Sequence, residues 1–180
     1  MKRLMFIFVA VAFFGCNAQS QKPAEPAVKW YTFEEAIKLN EKNPKKLFVD
    51  VYTDWCSWCK VMDQKTFSHP KIAEYLNEHY YPVKFNAEST APITFQGYEF
   101  KNEGTGRRSP HQLAAALLQG KMSYPSIAYL DGENQLLTAV PGYYTPKQIE
   151  PILVYFAEEH YKTTAFDVFS QNFVGKIAEE

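Results

Sequence analysis

The sequence predicts an α/β domain with a central mixed β-sheet flanked by helices. An apolar run at residues 47–52, rich in β-branched and aromatic side chains, indicates a buried strand, and residues 60–65 after it are helix formers without Gly or Pro. Residues 81–86 indicate a second strand, parallel to the first because a helix-sized connection separates them. Residues 126–140 indicate an antiparallel hairpin at the sheet edge, which makes the sheet mixed.

The first helix has clear start and stop signals. Thr32 followed by Glu35 forms a capping box, and Asn43-Pro44 should end the helix before the central strand. Residues 30–31 just before the helix are expected to form a short edge strand. After the central strand and its helix, Ser68 is expected to cap a further helical segment that leads into the second strand.

The stretch at residues 87–121 is interpreted as an insertion before the last hairpin. Residues 93–101, with Gln-Gly at their middle, predict a small hairpin. Ser109 is expected to cap an Ala/Leu-rich helix over residues 112–119, with a proline in its first turn and Gly120 at its end.

The C-terminal part predicts two more helical segments. Thr145 with Gln148 forms a second capping box for an apolar-faced helix. Beyond it, Phe166, Phe169 and Phe173 recur at helical spacing, which predicts a helical extension that packs on the domain or meets a partner.

The first residues have the character of a secretory signal. Lys2 and Arg3 precede an apolar stretch at residues 4–14, which is too short to span a bilayer and ends at Gly15 and Cys16. Two cleavage sites compete. In a lipoprotein, Cys16 becomes the first mature residue and carries the acyl anchor; with ordinary signal peptidase, cleavage follows Ala18.

The lipoprotein interpretation divides the three cysteines into one anchor, Cys16, and one pair. The domain prediction is then a signal peptide at residues 1–18, a polar tether at 19–27, a folded domain at 28–159 and a C-terminal helical extension at 160–180. The chain of 180 residues carries 19 basic and 20 acidic residues, a net charge of −1, which gives no reason to expect nucleic acid.

The cysteine pair Cys56-Ser57-Trp58-Cys59 is the main candidate for chemistry. Cys56 is expected where the central strand hands over to a helix, and free backbone N–H groups there lower the pKa of a thiol. Cys59, one turn on, faces the same side and can close a disulfide. A permanent structural disulfide is the alternative. A zinc ribbon lacks two further ligands, and haem attachment would need His where Lys60 stands.

Two segments carry a resemblance to a known family. Residues 48–60, FVDVYTDWCSWCK, resemble the active-site strand and helix start of thioredoxin-fold proteins. Residues 66–70, TFSHP, are similar to thioredoxin-like domains of bacterial cell envelopes, such as the C-terminal domain of transmembrane thiol:disulfide interchange proteins. Residues 123–126, SYPS, resemble the cis-proline loop that faces the cysteines in that fold. The resemblance spans most of residues 28–158 and implies a thioredoxin fold.

The resemblance also implies roles for individual residues. Cys56 would attack a substrate disulfide and Cys59 would resolve the mixed disulfide. Asp50, a carboxylate within an apolar strand, would assist proton transfer to and from Cys59. An ion pair with a lysine such as Lys84 is a compatible alternative for Asp50.

Four further residues are predicted to bind substrate. A cis Pro125 would leave the Tyr124 carbonyl free to pair with an extended substrate strand, whereas a trans proline would merely start an edge strand. Trp55 and Trp58 flank the cysteines, and Trp55 should shield the site. Trp58 departs from the Gly-Pro pair common in thioredoxins, which leaves the direction of catalysis open.

These observations predict a periplasmic thiol:disulfide oxidoreductase, exported and membrane-anchored through Cys16, that reduces disulfides of envelope proteins. It would need an electron donor in the envelope, because no nicotinamide or flavin fingerprint is present and no cofactor is expected. A copper-handling or client-binding module assisted by Met62 or His69 is the alternative, and an oxidant of folding proteins is a third. Arg107 and Arg108 would recognise an acidic partner or form a solvated charge pair.

Overall fold

A computed structural model describes residues 27–177 of the chain. The predicted signal peptide at 1–18 with Cys16, residues 19–26 of the predicted tether and the last three residues of the extension lie outside the described residues.

Helices and strands are both spread along the described chain, in agreement with the α/β prediction. In chain order they are α1 Phe33–Lys42, β1 Lys46–Tyr52, α2 Ser57–Met62, a π-helical turn Asp63–Phe67, α3 Pro70–His79, β2 Tyr80–Asn86, β3 Ile93–Phe95, β4 Tyr98–Phe100, α4 Gln112–Leu117, β5 Ser126–Leu130, β6 Leu136–Pro141, α5 Pro146–Ala157, a 3₁₀ turn His160–Lys162 and α6 Phe166–Asn172.

The main sheet has the strand order β2-β1-β5-β6. β1 and β2 run parallel, and β5 is antiparallel to both β1 and β6, so the prediction of a mixed sheet with an antiparallel edge hairpin is confirmed. The strand expected at residues 30–31 is reduced to one parallel bridge between Tyr31 and Val83.

Side chains of β1 alternate between two layers of helices. Leu47, Val49 and Val51 enter a layer closed by α1 and α4, which we call the apolar face. Phe48 and, by alternation, Asp50 enter a layer closed by α2, α3 and α5, which we call the cysteine face. The sheet therefore separates two cores.

Both predicted capping boxes are present. Thr32 accepts the Glu35 N–H at 3.2 Å while the Glu35 carboxylate accepts the Thr32 N–H at 2.8 Å, and Asn43 is the C-cap of α1. Thr145 and Gln148 repeat the arrangement at α5. Each box satisfies N–H groups that the first helical turn would otherwise leave unpaired.

The predicted cap at Ser68 is wrong. His69 is the N-cap of α3, with Pro70 at the first helical position, and the Ser68 hydroxyl donates to the Gln64 carbonyl at 2.6 Å. The π-helical turn that precedes α3 explains the difference, because its Gln64 carbonyl accepts the Ser68 hydroxyl, which then does not bond forward to α3.

The predicted cap at Ser109 is also wrong. His111 is the N-cap of α4, and its Nδ1 accepts the Leu113 N–H at 3.0 Å. The His111 side chain is buried, and its Nε2 lies 3.1 Å from the Ala91 carbonyl. The Ser109 hydroxyl instead donates to the Gly106 carbonyl within the preceding loop.

The stretch at residues 87–121, interpreted from the sequence as an insertion, contains the predicted hairpin and helix. β3 and β4 pair antiparallel, and Gln96 and Gly97 between them have φ of 50° and 80°, as a two-residue type I′ turn needs. α4 is shorter than predicted, and Gly120 follows it with a φ of 77°. Ile93 and Leu113 are buried in the apolar face, so the insertion completes that core.

The C-terminal extension packs on the domain. Phe166 and Phe169 of α6 contact the Tyr155 ring of α5, with centroids 5.1 and 5.3 Å apart. Further on, both carboxylate oxygens of Glu150 accept backbone N–H groups, from Lys176 at 2.7 Å and Ile177 at 3.2 Å. Within residues 27–177, no helix has the length and apolar character needed to cross a bilayer.

Candidate active site around Cys56 and Cys59

The two cysteines lie where β1 ends and α2 begins, as predicted. Cys56 is the N-cap of α2, and its N–H donates to the Thr53 carbonyl at 3.1 Å. Cys56 and Cys59 form a disulfide bond and are 5% and 3% exposed. The Cys59 N–H donates to Cys56 Sγ at 3.1 Å, a contact that favours a thiolate on Cys56 once the bond is reduced.

Asp50 lies in β1 and is part of a chain of charges. Its side chain is almost fully buried, and Oδ2 accepts a hydrogen bond from the Lys84 ammonium of β2. The same ammonium also donates to Asp63, in the π-helical turn after Cys59. Because the Asp63 N–H donates to the Cys59 carbonyl, this chain of charges links Asp50 to the helix that carries Cys59.

Burial has the largest effect on the pKa of Asp50. Loss of solvent raises the pKa of Asp50 to about 6, and the nearby Lys84 charge offsets only part of that effect. Oδ1 of Asp50 is buried and has no hydrogen-bond partner within the described residues. A carboxyl with one unpaired oxygen and a pKa near neutrality is suited to accept and release a proton.

Lys84 is held from several sides. Its ammonium lies 5.0 Å from the ring centroids of Trp30 and Tyr52, in addition to its two carboxylate partners. Burial lowers the pKa of Lys84, but the two carboxylates outweigh burial and the pKa is raised overall. Lys84 therefore stays charged, and the expected pair between Asp50 and Lys84 is present.

Asp63 is the site residue that the sequence analysis missed. It is 40% exposed and lies in a stretch of ordinary helix formers, where an acidic side chain attracts no notice. Its distance of four residues from Cys59 was the available signal, because residues i and i+4 share one face of a helix.

The loop before β5 contributes a cis peptide bond between Tyr124 and Pro125. The Pro125 carbonyl accepts the Gly142 N–H at 2.8 Å, which ties the loop to the end of β6. A groove of about 270 Å³ is lined by Trp58, Tyr124, Pro125, Gly142 and Tyr143. The structure thus brings three of the four predicted substrate-binding residues into one apolar groove.

Trp58 is exposed and forms one wall of that groove. Its ring centroid lies 5.2 Å from that of Tyr143, and 58% of its surface is accessible. A large exposed aromatic side chain beside a reactive disulfide is available to pack against a partner chain.

Trp55 does not line that groove but is in edge-to-face contact with the Tyr124 ring, with the ring centroids 6.0 Å apart. Its indole N–H donates to a Glu88 carboxylate oxygen at 2.7 Å, and the Arg108 guanidinium lies 4.6 Å from its ring centroid. Trp55 is therefore fixed by three contacts and is 48% exposed, and its shielding of the site stays a prediction.

Met62 and His69, the residues named for a copper-handling alternative, lie in different environments. Met62 is fully buried in the cysteine face, and His69 caps α3. Across residues 27–177, no three His, Cys, Asp or Glu side chains are grouped closely enough to hold a metal ion.

A strand-to-helix cysteine pair, a cis-proline loop and a buried aspartate on a mixed four-stranded sheet define a thioredoxin-fold protein of the Cys-x-x-Cys type. Residues 18–150 match the DsbH-type thioredoxin family model, described as "Protein of unknown function, DUF255", and the chain belongs to this family.

Relatives by sequence match a limited segment. Spermatogenesis-associated protein 20 of Rattus norvegicus is 32% identical over 71 residues, which is 39% of this chain and 9% of that protein. An uncharacterised protein of Archaeoglobus fulgidus is 30% identical over 79 residues, 44% of this chain and 61% of that protein. An uncharacterised protein of Caenorhabditis elegans is 30% identical over 71 residues, 39% of this chain and 10% of that protein. The match thus spans about a tenth of the length of the two animal proteins.

Solved structures confirm the thioredoxin fold. A DsbH oxidoreductase superposes with a TM-score of 0.52 at 17% identity, covering 83% of this chain and 96% of that one. A thioredoxin from Thermus thermophilus gives 0.53 at 16% identity, covering 72% and 87% of the two chains. A thioredoxin-fold protein from Helicobacter pylori gives 0.53 at 17% identity, covering 72% and 80%. At these identities the similarity concerns the fold.

Proposed function

We propose that this protein is a thiol:disulfide oxidoreductase that reduces substrate disulfides with the Cys56–Cys59 dithiol. The observation that carries the proposal is the disulfide at the strand-to-helix junction, with a buried carboxyl linked to the same helix. A closed loop of two intervening residues restricts little of the unfolded chain, so structural stabilisation is a poor explanation for the bond.

The reaction follows from the placement of the two sulfurs. In the reduced protein, the Cys56 thiolate attacks one sulfur of a substrate disulfide, breaks that bond and releases one substrate thiol. The Cys59 thiolate then attacks Cys56 Sγ, which re-forms the Cys56–Cys59 bond and releases the second substrate thiol. The substrate gains two electrons and two protons, and the protein ends in the oxidised state that the structure describes.

Asp50 is the group that we assign to the proton of Cys59. Cys59 must lose its proton before it can attack, and a buried carboxyl with a pKa near 6 can accept that proton at neutral pH. Lys84 and Asp63 act as positioning residues, because they tie Asp50 to the helix that bears Cys59.

The groove beside Pro125 is the proposed site for the substrate backbone. Proline leaves position 125 without an N–H, and Trp58, Tyr124 and Tyr143 offer apolar walls to an extended chain. Substrates would be proteins with accessible disulfides flanked by apolar residues.

The cellular setting is part of the same proposal. The signal-like N-terminus supports export to the periplasm, and acylation of Cys16 would anchor the protein to a membrane. Re-reduction of the Cys56–Cys59 bond would then come from an electron donor of the cell envelope.

Replacing the resolving cysteine tests the proposal. Cys59→Ser leaves Cys56 able to attack but unable to be resolved, so mixed disulfides with substrates should accumulate in an envelope extract and disappear on addition of excess thiol. Cys56→Ser is the matched control, since it keeps one cysteine but removes the nucleophile, and it should trap far less. Equal trapping by both variants, or none by Cys59→Ser, would contradict the proposal and favour a non-enzymatic client-binding role.

A further inference from the structure

The insertion places two arginines beside the tryptophan that precedes Cys56. Arg107 and Arg108 stand in the loop between β4 and α4, and together with Asp54, Trp55 and Glu88 they line a depression of about 720 Å³. This depression, which we call the Arg108 depression, includes Trp55, the residue before Cys56. The apolar groove instead includes Trp58, which lies between the two cysteines in the chain.

The loop that carries the arginines is held in one conformation by its own hydrogen bonds. The Asn102 amide donates to the Ser109 carbonyl at 2.7 Å and to the Glu88 carbonyl at 3.3 Å. The Gly106 N–H donates to the Ser109 hydroxyl at 3.0 Å. Gly104 permits the close approach, because a Cβ there would lie 2.1 Å from the Ser109 side chain. The two arginines therefore belong to a loop that internal hydrogen bonds stabilise.

Arg108 contacts the Trp55 ring. Its guanidinium lies 4.6 Å from the Trp55 ring centroid, and the Trp55 N–H is tied to Glu88 at 2.7 Å. A guanidinium that stacks through its flat face keeps the N–H groups at its edge free for a planar acceptor. Carboxylates match that edge with two parallel hydrogen bonds.

Within the described residues, no carboxylate lies at ion-pair distance from either arginine. Asp54 and Glu88 bring the formal charge of the depression to zero, so net charge alone does not choose the ligand. Hydrogen-bonding capacity does, because Glu88 accepts from the Trp55 N–H and leaves Asp54 as the other acceptor, whereas the two guanidinium groups offer several donors each.

We infer that the Arg108 depression recognises an acidic side chain next to the reacting disulfide of the client. This inference rests on the proposed function and adds a specificity to it: a client whose disulfide is flanked by apolar residues on the Trp58 side and by Glu or Asp on the Trp55 side. Arg107 and Arg108 are specificity-determining residues that touch the client chain and not the reacting sulfurs.

The test uses three peptide disulfides that are identical except for one flanking pair, which is Glu, Gln or Lys. At low ionic strength, kcat/KM for the Glu peptide should exceed that for the Gln peptide about fivefold, with the Lys peptide below both. In the double variant Arg107→Gln, Arg108→Gln, the Glu-to-Gln ratio should fall close to one. The ratio in the native protein should also shrink as salt is added.

A charge-matched control is available on α1. Lys38 and Lys42 are exposed on a helix of the apolar face, and Lys38→Gln, Lys42→Gln removes the same two charges away from the depression. This control should keep the fivefold ratio. If it loses the ratio as fully as the arginine variant does, the effect is one of overall charge and the inference is overturned.

Measuring peptide binding without disulfide exchange tests this inference separately from the proposed function. The same peptides with serine in place of cysteine cannot exchange, and their dissociation constants should show the same preference for Glu. Peptides that bind with this preference but are never reduced would refute the proposed function and keep the charge specificity. Peptides that are reduced at equal rates whatever the flanking charge, or a preference for Lys, would overturn the inference alone.

Discussion

Val49 and Asp50 are neighbours in β1, are 0% and 1% exposed, and point to opposite sides of one sheet. Val49 enters the apolar face and packs in its hydrophobic cluster. Asp50 enters the cysteine face and meets the Lys84 ammonium. Burial is nearly the same for both, but only Asp50 carries a group that can exchange a proton.

The comparison assigns different tasks to the two faces. The apolar face is built from α1, α4 and the hairpin, and its residues contribute to the free energy of unfolding through burial. The cysteine face also has a large apolar core, but it holds the carboxyl whose ionisation is disfavoured by burial. We expect substitutions on the first face to change stability alone, and Asp50 substitutions to change stability and exchange in opposite directions.

The largest change in stability is expected on the apolar face. Leu113→Ala in α4 removes a fully buried side chain and should lower the free energy of unfolding by about 3 kcal/mol, as measured by urea denaturation. The reduction potential of the cysteine pair should not move. Lys38→Ala, exposed on α1, is the control and should change stability by less than about 0.5 kcal/mol. A large shift in potential with Leu113→Ala would mean that the two faces are not independent.

Asp50→Asn should act in the opposite direction on stability. The pKa of the carboxyl is raised from 3.8 to about 6 in the folded protein, so folded Asp50 holds its proton where the unfolded chain has lost it. The resulting stabilisation is full below pH 4 and is lost as pH rises through about 6. The substitution removes this loss, and at pH 7 it should raise the free energy of unfolding by at most about 3 kcal/mol.

The same substitution should slow disulfide exchange about 100-fold at pH 7, because Cys59 loses its proton acceptor. In the native protein the rate should rise with pH through about 6, and this rise should be absent from Asp50→Asn. Asp63→Asn is the matched control, since it removes a carboxylate from the same lysine but one that is 40% exposed, and its effects on rate and stability should both be smaller. A variant Asp50→Asn that is less stable and fully active would contradict the assigned role.

Local signals in the sequence were sufficient for the frame of the fold. The capping boxes at Thr32 and Thr145, the apolar run of β1 and the turn at Gly97 each depend on residues close together in the chain, and each was predicted. The cysteine pair was also placed correctly. A strand followed closely by a helix puts Cys56 at the start of that helix.

What could not be predicted depends on contacts between distant segments. His111 replaces Ser109 as a cap because the insertion brings the Ala91 carbonyl to its ring. Asp63 joins the site through Lys84, which is 21 residues away. The stacking of Arg108 on Trp55 joins residues 53 positions apart. No local pattern of residue types predicts contacts between residues so far apart in the chain. The hydrogen bonds and ion pairs of the site are therefore seen only in the structure.

The reduction potential of the Cys56–Cys59 pair is the most direct test of the central claim that this disulfide is a redox centre. The protein would be equilibrated in defined thiol buffers and followed by tryptophan fluorescence, since Trp55 and Trp58 flank the cysteines. We expect complete, reversible cycling with a midpoint near about −270 mV, the value of a reducing thioredoxin. A midpoint near about −120 mV would make the protein a disulfide donor, and a pair that does not cycle at all would contradict the oxidoreductase proposal outright.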